Sequence, residues 1–312
     1  MNGAALNLAL NCYCVSIPRD SAFSPQSTYS PKDSDQVLVD PSTPAEPDPD
    51  NPPWSLLQGF LTWLLSVALL FLPQLFALPY VASRYHDARP TLEMLLADKT
   101  FILIIVCGIL PAHGLTLLVA WSVVTRFGRL SLAKVLGWSW RPNFGIWHSV
   151  GLAIILFMVA MVIIYKFGGQ ETDLERILRS SRAAALITAF IAVTTAPLVE
   201  EIIYRGLLYS ALQRVIGRLL AVAVVASMFA GLHVLQYWPN AGAIGAITLL
   251  SLVLTVVRAR TGRLLPCFVI HLAFNGIQSL IIVFDPYLRL LVDSWSHKAV
   301  TSAVYFLLNF PG

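Results

Sequence analysis

The chain has 312 residues, 57% of them hydrophobic, with a net charge of +4. Only 12% are charged, about half the roughly 25% usual in soluble domains. This composition excludes a water-soluble globular enzyme and points to a protein whose main solvent is lipid.

The first fifty or so residues are a different material. From Pro18 to Pro53 the chain is rich in Pro, Ser and Asp, and residues 1–53 hold seven acidic side chains against two basic ones, Arg19 and Lys32. A stretch this acidic, with few aromatics, buries too little apolar surface to offset the entropy of ordering. It is read as a disordered arm, a spacer or docking segment. The opening run AALNLALNCYCVSI lacks a basic leader region, which argues against a signal peptide.

Residues 54–312 form the membrane domain. Apolar stretches of near-spanning length occur at about 54–82, 101–125, 149–167, 183–208, 219–236, 241–257 and 264–284. About 20 apolar residues cross a hydrocarbon core, so the expected fold is all-α, a polytopic transmembrane bundle of seven to eight spans. The first stretch carries Pro73 and Pro79, which predicts a kink or a split. An eighth crossing depends on residues 300–310, too short unless their helix begins earlier. Lys and Arg flanking the spans divide evenly between the two sides, and the crowding at 214–218 and 258–263 favours a cytoplasmic N-terminus. The expected location is integral to a membrane of the bacterial inner (plasma) type. Four cysteines give no disulfide framework; Cys107 and Cys267 are read as buried small hydrophobes.

Polar groups inside this apolar background stand out. The fourth stretch contains Glu200, Glu201 and Arg205, each costing roughly 2.5–3.5 kcal/mol at a bilayer centre. They should therefore face one another or a wet cavity. Residues four apart share a helical face, so Glu201 pairs with Arg205 and Glu200 is left for chemistry. The fifth stretch places His233 four residues after Phe229, and the seventh places His271 four residues before Asn275. The sixth offers only Ser and Thr. Tyr204 and Phe229 are read as packing, His113 as structural, and Gly206 and Gly231 as sites of close helix approach.

A carboxylate with a neutral imidazole can deprotonate a water, and a second imidazole with an amide can stabilise an oxyanion. The same atoms also resemble a two-His, one-Glu zinc set. Hydrolysis by an activated water suits these residues in either form.

The runs EEIIYR, FAGLH and HLAFN, in that order, resemble the EExxxR, FxxxH and HxxxN motifs of the CPBP family, also called type II CAAX prenyl endopeptidases or Abi proteins. The resemblance covers about 150–285. It implies an all-helical intramembrane protease in which Glu200 and His233 activate water. His271 and Asn275 would form the oxyanion site, with Glu201 and Arg205 as support. If the enzyme is zinc-dependent, the ligands implied are Glu200, His233 and His271. The expected substrate is a membrane-associated protein or peptide, such as a prenylated CAAX-like tail, in a lipid bilayer and with no nucleic-acid partner. Two other readings of the same residues are a transporter or proton relay, and a non-catalytic scaffold of the bacteriocin-immunity type.

Overall fold

The computed structural model describes residues 48–86, 89–169 and 172–284. Among them seven helices are long and apolar enough to cross a membrane: Leu56–Arg84, Lys99–Thr125, Ile146–Phe167, Arg182–Ile216, Arg218–Tyr237, Ala241–Thr261 and Leu265–Phe284. They are called the first to seventh spans here. All seven coincide with the apolar stretches of the sequence. Residues 1–47 of the acidic arm and the short stretch at 300–310 lie outside the described residues.

Local sequence explains the ends and breaks. Ser55 opens the first span with a reciprocal cap to Gln58, which satisfies donors a helix start otherwise leaves bare. The helix breaks after Leu69 and resumes at Leu72, with Pro73 in the first turn of the second piece. The expected split is therefore present, and it falls where a proline is tolerated. Asp98 caps the second span through Thr100 and Phe101, and it also accepts hydrogen bonds from the hydroxyls of Tyr80 (2.8 Å) and Tyr85 (3.1 Å). Large apolar side chains such as Leu57, Phe71, Ile155, Met158 and Leu219 point outward, as a lipid-facing surface requires.

The fourth span is the most irregular and the most buried. Its first piece, Arg182–Val193, stops at Thr194, and a second, Thr195–Glu200, contains Pro197. Pro197 has no N–H to donate, so backbone carbonyls before it lose helical partners. From Glu201 to Leu208 the helix widens to π geometry, with the Tyr209 N–H reaching back to the Tyr204 carbonyl. All eight residues of this widened segment are buried. They run through the largest apolar core, with Trp54, Leu136, Val225, Phe229 and Leu264 around them. The charged motif is thus in the centre of the bundle, shielded from lipid.

Three expectations need correcting. Residues 48–53, grouped by composition with the acidic arm, fold onto the bundle as a short strap. Asp50 Oδ1 accepts hydrogen bonds from Gln213 (3.1 Å) and Arg258 (3.2 Å). Arg258 also donates to the Pro49 carbonyl at 2.6 Å, Arg214 to that of Pro52 and Arg126 to that of Pro53. Just beyond, the Trp54 indole donates to the Leu207 carbonyl at 3.1 Å. Composition misses this because the acidic residue that matters meets an arginine 208 positions away. Cys107 is exposed on the outer face of the second span, while Cys267 is buried as expected. Gly231 faces open space, whereas Gly206 is a close approach as expected, an added methyl there lying 3.1 Å from Leu136. Close approach also occurs at Gly108, where an added methyl would lie 2.9 Å from Pro73, and at Gly242, against Ile164.

The strap carries a pH dependence. Partial burial works against the Asp50 charge, but the Gln213 hydrogen bond and the Arg258 guanidinium outweigh it and hold the carboxyl below its ordinary range. A carboxylate with a depressed folded pKa contributes stability above its unfolded value, near 3.9, that is lost as pH falls through the folded one. The protection of the Asn51 amide relative to an unfolded chain, its N–H donating to Asp48, should therefore be kept at neutral pH and fall below about pH 4. In Asp50→Asn that protection should be low throughout. Equal protection in the two proteins at neutral pH would show that the carboxylate does not hold the strap.

Candidate active site

The centre of the bundle holds a continuous polar chain. Arg205 is fully buried, and its Nη1 donates to Glu201 Oε1 at 3.1 Å, the pairing that their spacing predicts. Its remaining donors reach the sixth span: Nε to the Thr255 hydroxyl (3.2 Å), Nη2 to the Ser251 hydroxyl (2.9 Å) and carbonyl (3.0 Å). Its face lies 4.7 Å over the Phe229 ring, a cation–π contact at the short end of the range. A buried guanidinium is tolerable only with such complete satisfaction. The Ser and Thr of the sixth span, which the sequence presents as background, are its docking site.

Glu201 carries the chain onward. Its Oε1 also meets His271 Nδ1 at 2.8 Å. That contact fixes the ring, since a carboxylate oxygen paired with Arg205 accepts a hydrogen bond from Nδ1–H and leaves Nε2 facing away. Nε2 lies 3.6 Å from Glu200 Oε2, too far for a direct hydrogen bond but close enough for one water to contact both. Glu200 itself is the accessible member, with 24% of its side chain exposed. The two adjacent glutamates thus take different places: Glu201 sealed and paired, Glu200 open.

The other motif residues are arranged around this pair. His233 Nδ1 is 2.8 Å from the Phe229 carbonyl of its own helix. A carbonyl can only accept, so Nδ1 carries the proton and the neutral ring has its lone pair on Nε2. The Phe229 ring stacks on His233 at 4.4 Å and meets His271 and Tyr204 edge-on at 6.2 and 5.0 Å. Phe229 is therefore the packing hub of all three motifs. Asn275 Nδ2 donates to the Ala192 carbonyl at 2.8 Å, at the broken part of the fourth span. That contact ties the seventh span to the break and leaves one amide N–H for other work. His113, read as structural, has a partner the sequence does not reveal: its Nδ1 lies 2.9 Å from the hydroxyl of Thr195, five residues before Glu200.

The structure brings Glu200, Glu201, Arg205 and His271 into one connected set. It puts His271 Nε2 3.6 Å from Glu200. A zinc ion needs three or four donors at about 2.0–2.2 Å from one point. Among the described residues no three His, Cys, Asp or Glu side chains converge in that way, and both nitrogens of His271 already face carboxylates. Glu200, His233 and His271 as they stand do not fit a three-ligand zinc centre.

Residues 182–277 match the family model described as type II CAAX prenyl endopeptidase, Rce1-like. This segment is similar to that family. It begins with the fourth span and ends two residues beyond Asn275, so it contains every motif residue and is narrower than the stretch at 150–285 outlined by the motifs. No curated protein and no solved structure matches the chain. The likeness is to type II CAAX prenyl endopeptidases over this segment, and the seven long apolar helices make the chain a multi-pass helical membrane protein. Outside the match, Trp54, just before the first span, reaches the π segment, and His113 of the second span reaches Thr195.

Proposed function

We propose that the protein is an intramembrane endopeptidase that cuts a membrane-associated polypeptide, a prenylated CAAX-like tail being the substrate class the family description suggests. The observation that carries this reading is the accessible Glu200 carboxylate set 3.6 Å from an imidazole that a second, sealed glutamate orients. Glu200 takes a proton from a water as its oxygen attacks the scissile carbonyl carbon, and returns that proton to the leaving amine nitrogen. The Nε2 lone pair of His233 accepts the other O–H of the water. His271, when protonated on both nitrogens, and the unused N–H of Asn275 donate to the oxyanion. Glu201 and Arg205 act through His271 as positioning residues. No step needs a metal.

The test is cleavage of quenched-fluorescent peptides, prenylated and unprenylated, by purified wild type and Glu200→Ala, with and without chelator. Cleavage by wild type alone, unchanged by chelator, is the expected result. Loss of wild-type activity on chelation, restored by zinc, would overturn the metal-free route. Equal cleavage by Glu200→Ala would overturn the role of Glu200.

A further inference from the structure

A second polar feature lies away from the proteolytic centre. A cavity of about 480 Å³ opens beside the end of the sixth span, lined by Arg141, Arg218, Arg260 and Arg263 together with Asp50. Asp50 is the one carboxylate among the described residues lining it, and that charge is already committed. Its Oδ1 is held by Gln213 and by the buried Arg258, while the largely exposed Arg218 approaches Oδ2 only to 3.8 Å. Arg141 donates to the backbone carbonyl of Arg260, a contact that fixes its guanidinium without neutralising it. Among the described residues Arg141, Arg260 and Arg263 therefore share this cavity with no carboxylate paired to them, and Arg218 has only its long contact to Asp50.

The position of the cavity narrows the ligand. Arg218 is the first residue of the fifth span, Thr261 the last of the sixth, and Arg141 precedes the third by a few positions. All lie at span ends, the depth of lipid headgroups. Trp140 and Trp147, nearby in the chain at the entry to the third span, are exposed, as aromatic residues at a membrane–water boundary are. Guanidinium groups match phosphate oxygens in planar, two-point geometry.

We propose that this cavity binds a phosphate-bearing anion, presented by the headgroup of an anionic membrane lipid or as free phosphate. Such a ligand joins the turn between the sixth and seventh spans, the entry to the third and the Asp50 strap through one charge centre.

The experiment follows thermal unfolding of the delipidated full chain in neutral detergent, titrated with phosphatidylglycerol, phosphatidylcholine or inorganic phosphate. Phosphatidylglycerol should raise the midpoint and phosphatidylcholine should not. A rise with inorganic phosphate alone would support the anion site with free phosphate as the source. Each arginine at a headgroup surface is worth about fivefold in affinity, so Arg260→Gln/Arg263→Gln should weaken half-saturation about 25-fold. Arg141→Gln serves as a second variant and should weaken it about fivefold. Equal responses to the two lipids without a phosphate effect would overturn the proposal, as would variants that respond like wild type.

Discussion

Glu200→Gln is expected to lower the rate of peptide cleavage by about 10²–10⁴-fold, the range over which a positioned general base acts, while leaving the thermal unfolding midpoint almost unchanged. Glutamine keeps the shape of the side chain but cannot hold the proton removed from water. Stability should be spared because Glu200 is partly exposed and its approach to His271 is 3.6 Å, longer than a hydrogen bond. The comparison with Glu201 makes the test sharp. Glu201 is adjacent in sequence and identical in chemistry, yet it is sealed and doubly engaged. A rate within about threefold of wild type in Glu200→Gln would be far below the range for a lost general base and would remove it from that role.

The opposite pattern is expected one turn away. Arg205→Leu leaves the Glu201 carboxylate in the core without its cation and leaves Ser251 and Thr255 without their donor. Breaking a buried pair from one side costs about 3–5 kcal/mol, so this variant should unfold at a much lower temperature in detergent. Replacing both partners, Glu201→Leu/Arg205→Leu, should recover part of that loss, because the uncompensated charge is gone. Activity should not return with stability, since His271 Nδ1 then has no acceptor to set its ring. Stability and cleavage recovered together in the double variant would mean that Glu201 plays no part in orienting His271.

Seven spans could be read from the chain because a run of about 20 apolar residues has few other uses. The Glu201–Arg205 pair was equally legible, since helical spacing by four nearly dictates it and the widened π segment preserves it. Other parts depend on how helices rotate against one another, which local spacing does not encode. Ser251 and Thr255 look like ordinary residues of an apolar helix until Arg205 lies against them. The placing of His271 beside Glu200 is likewise a matter of register between spans. Asp50 and its strap were hidden for a different reason. Composition averages over a stretch, and an acidic, proline-rich average concealed a few residues with specific distant partners. The π segment has no composition signature of its own, although its place at the charged motif agrees with the tendency of such widenings to occur at functional sites.

The strap also bears on how the molecule is put together. Trp54 meets Leu207, 153 positions later, and Asp50 meets Arg258 after 208. During synthesis those partners emerge long after the strap, so its contacts can form only once the fourth and sixth spans have been inserted and aligned. Contacts between residues so distant in sequence form late in assembly. Docking of the strap is thus a closing step, available only to a chain whose π segment and sixth span already stand in their final register.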